Sequence, residues 1–193
     1  MSPREETEKY LTLVESLIDA VADVGLETLE ADDVAARSGI PAAELERFCG
    51  SLEELIGAAY SRAARALHDT MAAALASDGP WLARWEAAVR ASLELMQERP
   101  GIARLVFVES EAGLPTIRER RELHRRDFVE LFAWEYSRNG RLHSLPRLHG
   151  ELVAGAAYRA FHEEAVAGRL TAAPAQSAPR LVDAMAMFEP VPA

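Results

Sequence analysis

With 193 residues, 49% of them apolar and 27% charged, the chain can form one large domain or a small domain joined to a larger one. It is too apolar for wholesale disorder. No apolar run approaches the ~20 residues that a bilayer span needs, and the start, MSPREETEKY, is polar and acidic, without the apolar stretch of a secretion signal. The single cysteine, Cys49, excludes an internal disulfide and any zinc site built on a cysteine pair, so the expected compartment is the cytoplasm and no membrane partner is expected.

The net charge of −10 is concentrated at one end. Residues 1–56 hold four basic side chains (Arg4, Lys9, Arg37 and Arg47) against fourteen acidic ones, whereas the other 137 residues carry 17 of each sign. Arginine outnumbers lysine 20 to one; GC-rich coding DNA produces that bias, so it carries little functional weight.

In chain order, TEKYLTLVESLIDAVADVG places Leu11, Val14, Leu17, Ile18, Val21 and Val24 at helical spacing, and Gly25 closes the helix. EADDVAARSG reads as a two-turn helix ending at Gly39, and PAAELERFCG as a second short helix with Leu45 and Phe48 on one face. SLEELIGAAYSRAARALHDTMAAALAS opens with a capping box, Ser51 with Glu54, and runs as one helix to about residue 77. GPWLARWEAAVRASLELMQERPG is bounded by Pro80 and Pro100, and GIARLVFVESEAG is short and apolar. LPTIRERRELHRRDFVELFAWEYSRNG is long and is stopped by Asn139 and Gly140; SLPRLHGELVAGAAYRAFHEEAVAGRL is long again. TAAPAQSAP reads as a loop before RLVDAMAMF, whose stripe is Leu181, Ala184, Met185 and Phe188. No segment alternates at strand period. The expected fold is all-α: about nine helices, with a helix-turn-helix head over residues 1–56 and a helical ligand-binding and dimerisation body over 57–193.

The head, SGIPAAELERFCGSLEEL with its preceding helix, resembles the tetracycline-repressor-like (TetR/AcrR) family. The resemblance rests on Ala20, Gly25, Val34-Ala35, Gly39-Ile40, Leu45, Phe48, Gly50-Ser51 and Glu53-Glu54-Leu55. It extends more weakly into the body through LVAGAAYRAF. It implies a dimeric one-component transcriptional regulator that places its third helix in the DNA major groove and responds to a ligand in its body. By resemblance the DNA-facing positions are Glu30, Pro41, Ala42, Ala43, Glu44, Glu46, Arg47 and Leu52. The family usually presents hydroxyls and a lysine there; this sequence presents carboxylates and methyl groups, with Arg47 as the one remaining cation. Counterion release supplies most non-specific affinity for DNA, and carboxylates on a reading helix face a wall of phosphates that salt only partly screens. Charge therefore disfavours autonomous DNA binding. Three alternatives stay open: operator binding by a homodimer, heterodimerisation with a basic, DNA-competent relative, and competition for a regulator through a DNA-like acidic surface.

In the body, aromatic and sulfur side chains fit either ordinary core or a mostly apolar pocket for a small apolar or aromatic ligand. The pocket candidates are Trp85, Met96, Phe107, Phe128, Phe132 and Phe161, with Glu109, His124 and Tyr158 as polar groups that would orient a ligand. RERRELHRR reads as a salt-bridged face or an anion-docking patch. Small residues Gly155, Ala156 and Ala160, together with Leu181, Met185 and Phe188 of the last helix, are candidates for a four-helix dimer interface. The five histidines lack metal-ligand spacing, and phosphate-loop and nucleophile-elbow motifs are missing. No cofactor and no enzymatic activity are expected; catalysis would need a pairing such as Glu109 with His124.

Overall fold

The computed structural model describes residues 2–111, 113–138 and 146–186, with backbone only for Met185 and Ala186. Among the described residues there are ten α-helices and no strand, and no helix is long and apolar enough to cross a membrane. The candidate interface residue Phe188, the side chain of Met185, and the Asn139-Gly140 stop lie outside the described residues.

α1 spans Pro3–Val24. Ser2 starts it as a capping box: the Ser2 hydroxyl accepts from the Glu5 amide at 3.3 Å and the Glu5 carboxylate accepts from the Ser2 amide at 2.6 Å. Its inward stripe of Leu13, Val14, Leu17, Ile18 and Val21 is buried, as the 3-and-4 spacing requires. α2 (Ala31–Ser38) is followed by Gly39 at φ 70, a left-handed turn that a side chain would strain. A 3-10 turn at Ala42–Glu44 then leads into α3, Leu45–Cys49. α1 packs against both α2 and α3, with Val34, Ile40 and Leu45 filling the space between them.

The chain forms two compact units, and these divide it elsewhere than after residue 56. The first comprises the N-terminal residues through Ala64 together with Arg99–Arg121. Within it, α6 (Pro100–Ala103) continues through a π turn at Arg104–Val108 and a 3-10 turn at Glu109–Glu111. Gly101 is what lets α6 meet α1: a Cβ there would collide with the backbone carbonyl of Ile18. Ile102, Leu105, Val106 and Phe107 are buried beside it.

The second unit comprises Arg65–Glu98 and the residues from Glu122 onward. It contains α5 (Trp81–Glu98), α8 (Pro146–Val166), α9 (Arg169–Ala172) and α10 (Pro174–Ala186), with the later parts of α4 (Leu52–Leu75) and α7 (Pro115–Arg138). α10 packs on α5 and α8. The stretch 171–179, expected as a loop from its prolines, is helical apart from Ala173, the break between α9 and α10. Pro174 opens α10, where a missing N–H costs nothing. Pro179 sits inside the helix, but both it and Ala175, whose carbonyl loses a donor, are exposed to water. Ser177, fully buried between them, donates to Glu164 at 2.8 Å and holds the turn in place.

Candidate functional site

The helix-turn-helix presents a surface whose outward side chains are nearly all acidic or aliphatic. Glu30, Pro41, Ala43, Glu46 and Arg47 are exposed, and Ala42, Glu44 and Leu52 are half-buried, while Leu45 and Cys49 point into the core. Burial pushes the Cys49 thiol up, with Glu54 adding to the effect, so it stays an inert core group. The expected DNA-facing positions are therefore all at least partly accessible, and α3 with its preceding turn is short, eight residues from Ala42 to Cys49.

Each of the four cations of residues 1–56 has a carboxylate of the same segment beside it. Arg4 meets Glu8 at 3.0 Å, Lys9 meets Glu44 at 3.9 Å, Arg47 meets Glu6 at 3.9 Å, and Arg37 is hydrogen-bonded to Asp23. Lys9 and Arg47 also lie 5.3 Å and 5.5 Å from the centroid of the Phe48 ring. These cations tie α1 to the reading helix. Exposed pairs of this kind contribute at most about 1 kcal/mol each, so their importance is in charge balance rather than stability. Among the described residues no cation comes within 4.0 Å of the side-chain carboxylates of Glu27, Glu30, Asp32, Asp33, Glu46 or Glu54.

The end of α2 is capped internally. A helix N-terminus offers free amides that suit a phosphate, but here the Glu30 amide donates to the Asp33 carboxylate at 2.9 Å. One amide at this end is thereby turned to an internal anion, and Asp32 and Asp33 put two negative charges in the first turn, where a phosphate would dock.

Within the second unit the aromatic candidates assemble. Trp85 is fully buried; its ring meets Phe132 edge-on at 5.9 Å and Trp81 in a stack at 6.4 Å, and its indole N–H donates to the Leu181 carbonyl at 3.3 Å. Phe128 stacks on Phe132 at 6.4 Å, and Met96 and Phe161 are buried. His124 is buried with Nδ1 3.2 Å from Asp127; burial is the main cause that holds it below the usual imidazole range. Tyr158 is half-buried and stacks on His162 at 6.1 Å.

Phe107 and Glu109 belong instead to the first unit. Glu109 accepts from Arg104 Nε at 2.9 Å, and Arg104 donates to the Ala22 carbonyl at 3.3 Å near the end of α1. Glu109 thus braces the arginine that closes α1.

On α8, Gly155 is exposed with open space where a Cβ would stand, and Ala156 and Ala160 are half-buried. Leu148, Leu152 and Val166, all exposed, lie on the same face as Gly155 at helical spacing. Leu181 faces its own unit, 1% exposed. The RERRELHRR arginines are engaged locally: Arg118 with the Gly113 carbonyl, Arg120 with Ser61, Arg121 with Glu111, and Arg125 and Arg126 with Glu122.

Sequence reading passed over the buried pair of Arg84 and Glu135, 2.9 Å apart and 3% and 0% exposed. The signal was available: Arg84 falls on the inward stripe of α5 with Trp81, Trp85 and Ala88, and Glu135 falls three residues after Phe132.

No protein-family model and no curated relative matches the sequence. Solved structures do match over nearly the whole chain. A TetR-family transcriptional regulator from Pectobacterium atrosepticum superposes with a TM-score of 0.73 at 19% identity, over 97% of this chain and 95% of that one. The fold is that of the TetR-family regulators. The fatty acid degradation regulator FadR from Bacillus halodurans matches with a TM-score of 0.71 at 12% identity, covering 94% of this chain and 96% of that one. FadR from Bacillus subtilis, solved in complex with stearoyl-CoA, also gives 0.71, at 10% identity, covering 91% of this chain and 98% of that one. Against these TetR-fold proteins the scaffold agrees end to end while identity is low, so the likeness establishes architecture and leaves the chemistry of the head to its own residues.

Proposed function

We propose that the protein is a TetR-like transcriptional regulator, dimeric and ligand-responsive, whose head does not hold DNA by itself through the family's usual phosphate contacts. The observation that carries this reading is that the head's few cations are engaged while most of its carboxylates are not. All four of its cations face its own carboxylates, and Asp33 caps the amide end of α2. Neutralising phosphates is what sustains affinity and its salt dependence, and contacts to phosphate set the register of a reading helix. This surface supplies neither.

The dimer is supported by the α8 face of Leu148, Leu152 and Gly155, an exposed apolar patch of the kind that marks an interaction surface, which the Arg159–Glu163 ion pair separates from Val166. The ligand response is supported by the TetR-like fold and the aromatic body around Trp85 and Phe132, and the stearoyl-CoA complex of the Bacillus subtilis structure shows a fatty-acyl ligand on that protein. The α8 face also admits a second reading, in which the partner is a basic, DNA-competent relative. One acidic head beside one basic head would meet less repulsion at DNA than two acidic heads.

Selection of genomic fragments by the purified protein at low salt tests the proposal. Recovery of no enriched fragment is the expected result, and enrichment of a palindrome bound with steep salt dependence would overturn it. Affinity purification from the native cells separates the two dimers: co-purification of a lysine-bearing relative favours the heterodimer, and recovery of the homodimer alone excludes it.

A further inference from the structure

We infer that the cleft between α4 and α7 in the second unit is a binding site for a small organic cation, an ammonium group carried on an aromatic ring. The cleft has a volume of about 440 Å³ and is lined by Arg65, His68 and Asp69 of α4 and by Asp127, Glu130, Leu131 and Trp134 of α7. It lies outside the aromatic core and outside the head.

Three features converge on that chemistry. Trp134 is 52% exposed, whereas Trp81 and Trp85 are 6% and 0% exposed. An indole left open in a cleft, beside Leu131, is an apolar platform with an electron-rich face that attracts cations. The ring already serves that purpose once: the Arg138 guanidinium lies 5.5 Å from its centroid, held there by Glu135 at 3.3 Å and by the carbonyls of Leu75, Ala76 and Ser77 at the end of α4.

Among the described residues no arginine or lysine comes within 4.0 Å of the Asp69, Asp127 or Glu130 carboxylates. Asp69 and Asp127 each meet an imidazole nitrogen, His68 and His124, at 3.2 Å. Burial holds His124 below the usual imidazole range, which favours its neutral form beside Asp127.

Two cations flank the cleft: Arg138 at the indole, its charge met by Glu135 at 3.3 Å and Asp78 at 3.8 Å, and Arg65 toward the other end. His68 meets Phe128 and Arg138 meets Leu75, so α4 and α7 run in the same direction. Arg65 then lies about 9–13 Å along the axis from Trp134, at the helical rise per residue. Glu130 and Asp69 lie between them, about one turn from the indole. A ring on Trp134 would bring an ammonium group carried on a two-carbon arm to those carboxylates, while Arg65 would disfavour a second positive charge at the far end.

The test is titration of the full chain with phenethylammonium, phenylacetate and neutral 2-phenylethanol, followed by tryptophan fluorescence and by calorimetry. Saturable binding of phenethylammonium, with the acid and the alcohol at least about threefold weaker, is expected. Glu130→Gln and Trp134→Ala should each weaken binding by about threefold or more, with Glu119→Gln, an exposed carboxylate of the other unit, as an unaffected control. Unchanged thermal unfolding of the exposed-site variants shows that the fold is kept, and Trp134→Tyr should retain part of the affinity. Equal binding of phenylacetate, absence of saturable phenethylammonium binding, or full affinity in Trp134→Ala would each overturn the assignment.

Discussion

The Asp33 carboxylate accepts a hydrogen bond from the Glu30 amide at 2.9 Å, so an internal anion caps the N-terminus of the second helix of the head. That amide end is where the electrostatics of a helix would welcome a phosphate. Combined with Lys9 on Glu44 and Arg47 on Glu6, it leaves a helix-turn-helix of the expected shape whose cations are engaged and whose surface stays strongly acidic.

If shape is retained and charge alone blocks DNA, affinity should be recoverable by substitution. Glu44→Lys with Glu46→Lys, on the outer side of the reading helix, should create non-specific duplex binding at low salt. Each phosphate neutralised should steepen the salt dependence by about one unit. Fluorescence anisotropy against salt concentration measures this. No gain of affinity in a folded double variant would point to a head altered in shape as well as charge.

The buried pair of Arg84 and Glu135 should be costly to break from one side. Glu135→Ala leaves the Arg84 guanidinium in a dry interior, where removing one partner of a buried ion pair costs about 3–5 kcal/mol. Urea unfolding measures the loss. Arg84→Met with Glu135→Leu should recover most of it, because replacing both charges with apolar groups of similar size removes the uncompensated charge.

Gly101→Ala should destabilise the first unit. The added methyl group would meet the Ile18 carbonyl, a backbone atom that cannot swing aside as a side-chain end does. Overpacking of this kind costs about 1–3 kcal/mol. Thermal unfolding checks it, and a stability equal to the parent would mean that α6 and α1 separate without penalty.

Glu164 links stability to pH. Hydrogen bonds from Arg169 at 2.6 Å and 2.8 Å, then from Ser177 and Arg180, hold its carboxyl at about 2. Its folded value lies below its unfolded value, so the stabilisation is complete above about pH 5 and is lost as pH falls toward 2. A shift of this size corresponds to about 3 kcal/mol as an upper figure. Unfolding midpoints of Glu164→Gln should be lower than the parent's at pH 7 and should converge with them near pH 2; a constant gap across that range would remove the linkage.

The α8 face gives a prediction that separates partner contact from folding. Gly155 has open space around it within the protomer, so Gly155→Leu leaves internal packing untouched while blocking close approach of another helix. Sedimentation should show a shift from dimer to monomer, with helical content unchanged by circular dichroism. A dimer that persists would place the interface elsewhere.

Much of the fold was legible because helical periodicity and caps are local properties. The α1 stripe from Val14 to Val21, the Gly39 turn, the Ser51 hydroxyl cap on the Glu54 amide and the proline boundaries of α5 stand where spacing and turn chemistry put them, whereas Leu11 is exposed and the Ser51 amide turns to the Cys49 carbonyl instead of Glu54. The helical turns across 171–179 were not legible, since Pro174 and Pro179 normally argue for a loop; exposure of Ala175 and the buried bond from Ser177 to Glu164 decide otherwise. The joining of residues 99–121 to the first unit depends on the Gly101 contact with Ile18, a long-range fact that periodicity does not encode. For the candidate site, the sign of the head's charge was plain in the sequence. The pairing of its cations and the capping of α2 by Asp33 needed coordinates.

Anisotropy titration of the unmodified protein onto a mixed genomic duplex pool, from low to physiological salt, tests the central claim most directly. The acidic head predicts no saturable complex at any salt concentration when the protein is alone. A tight complex that weakens steeply with salt, formed by this chain without a companion subunit, would contradict it.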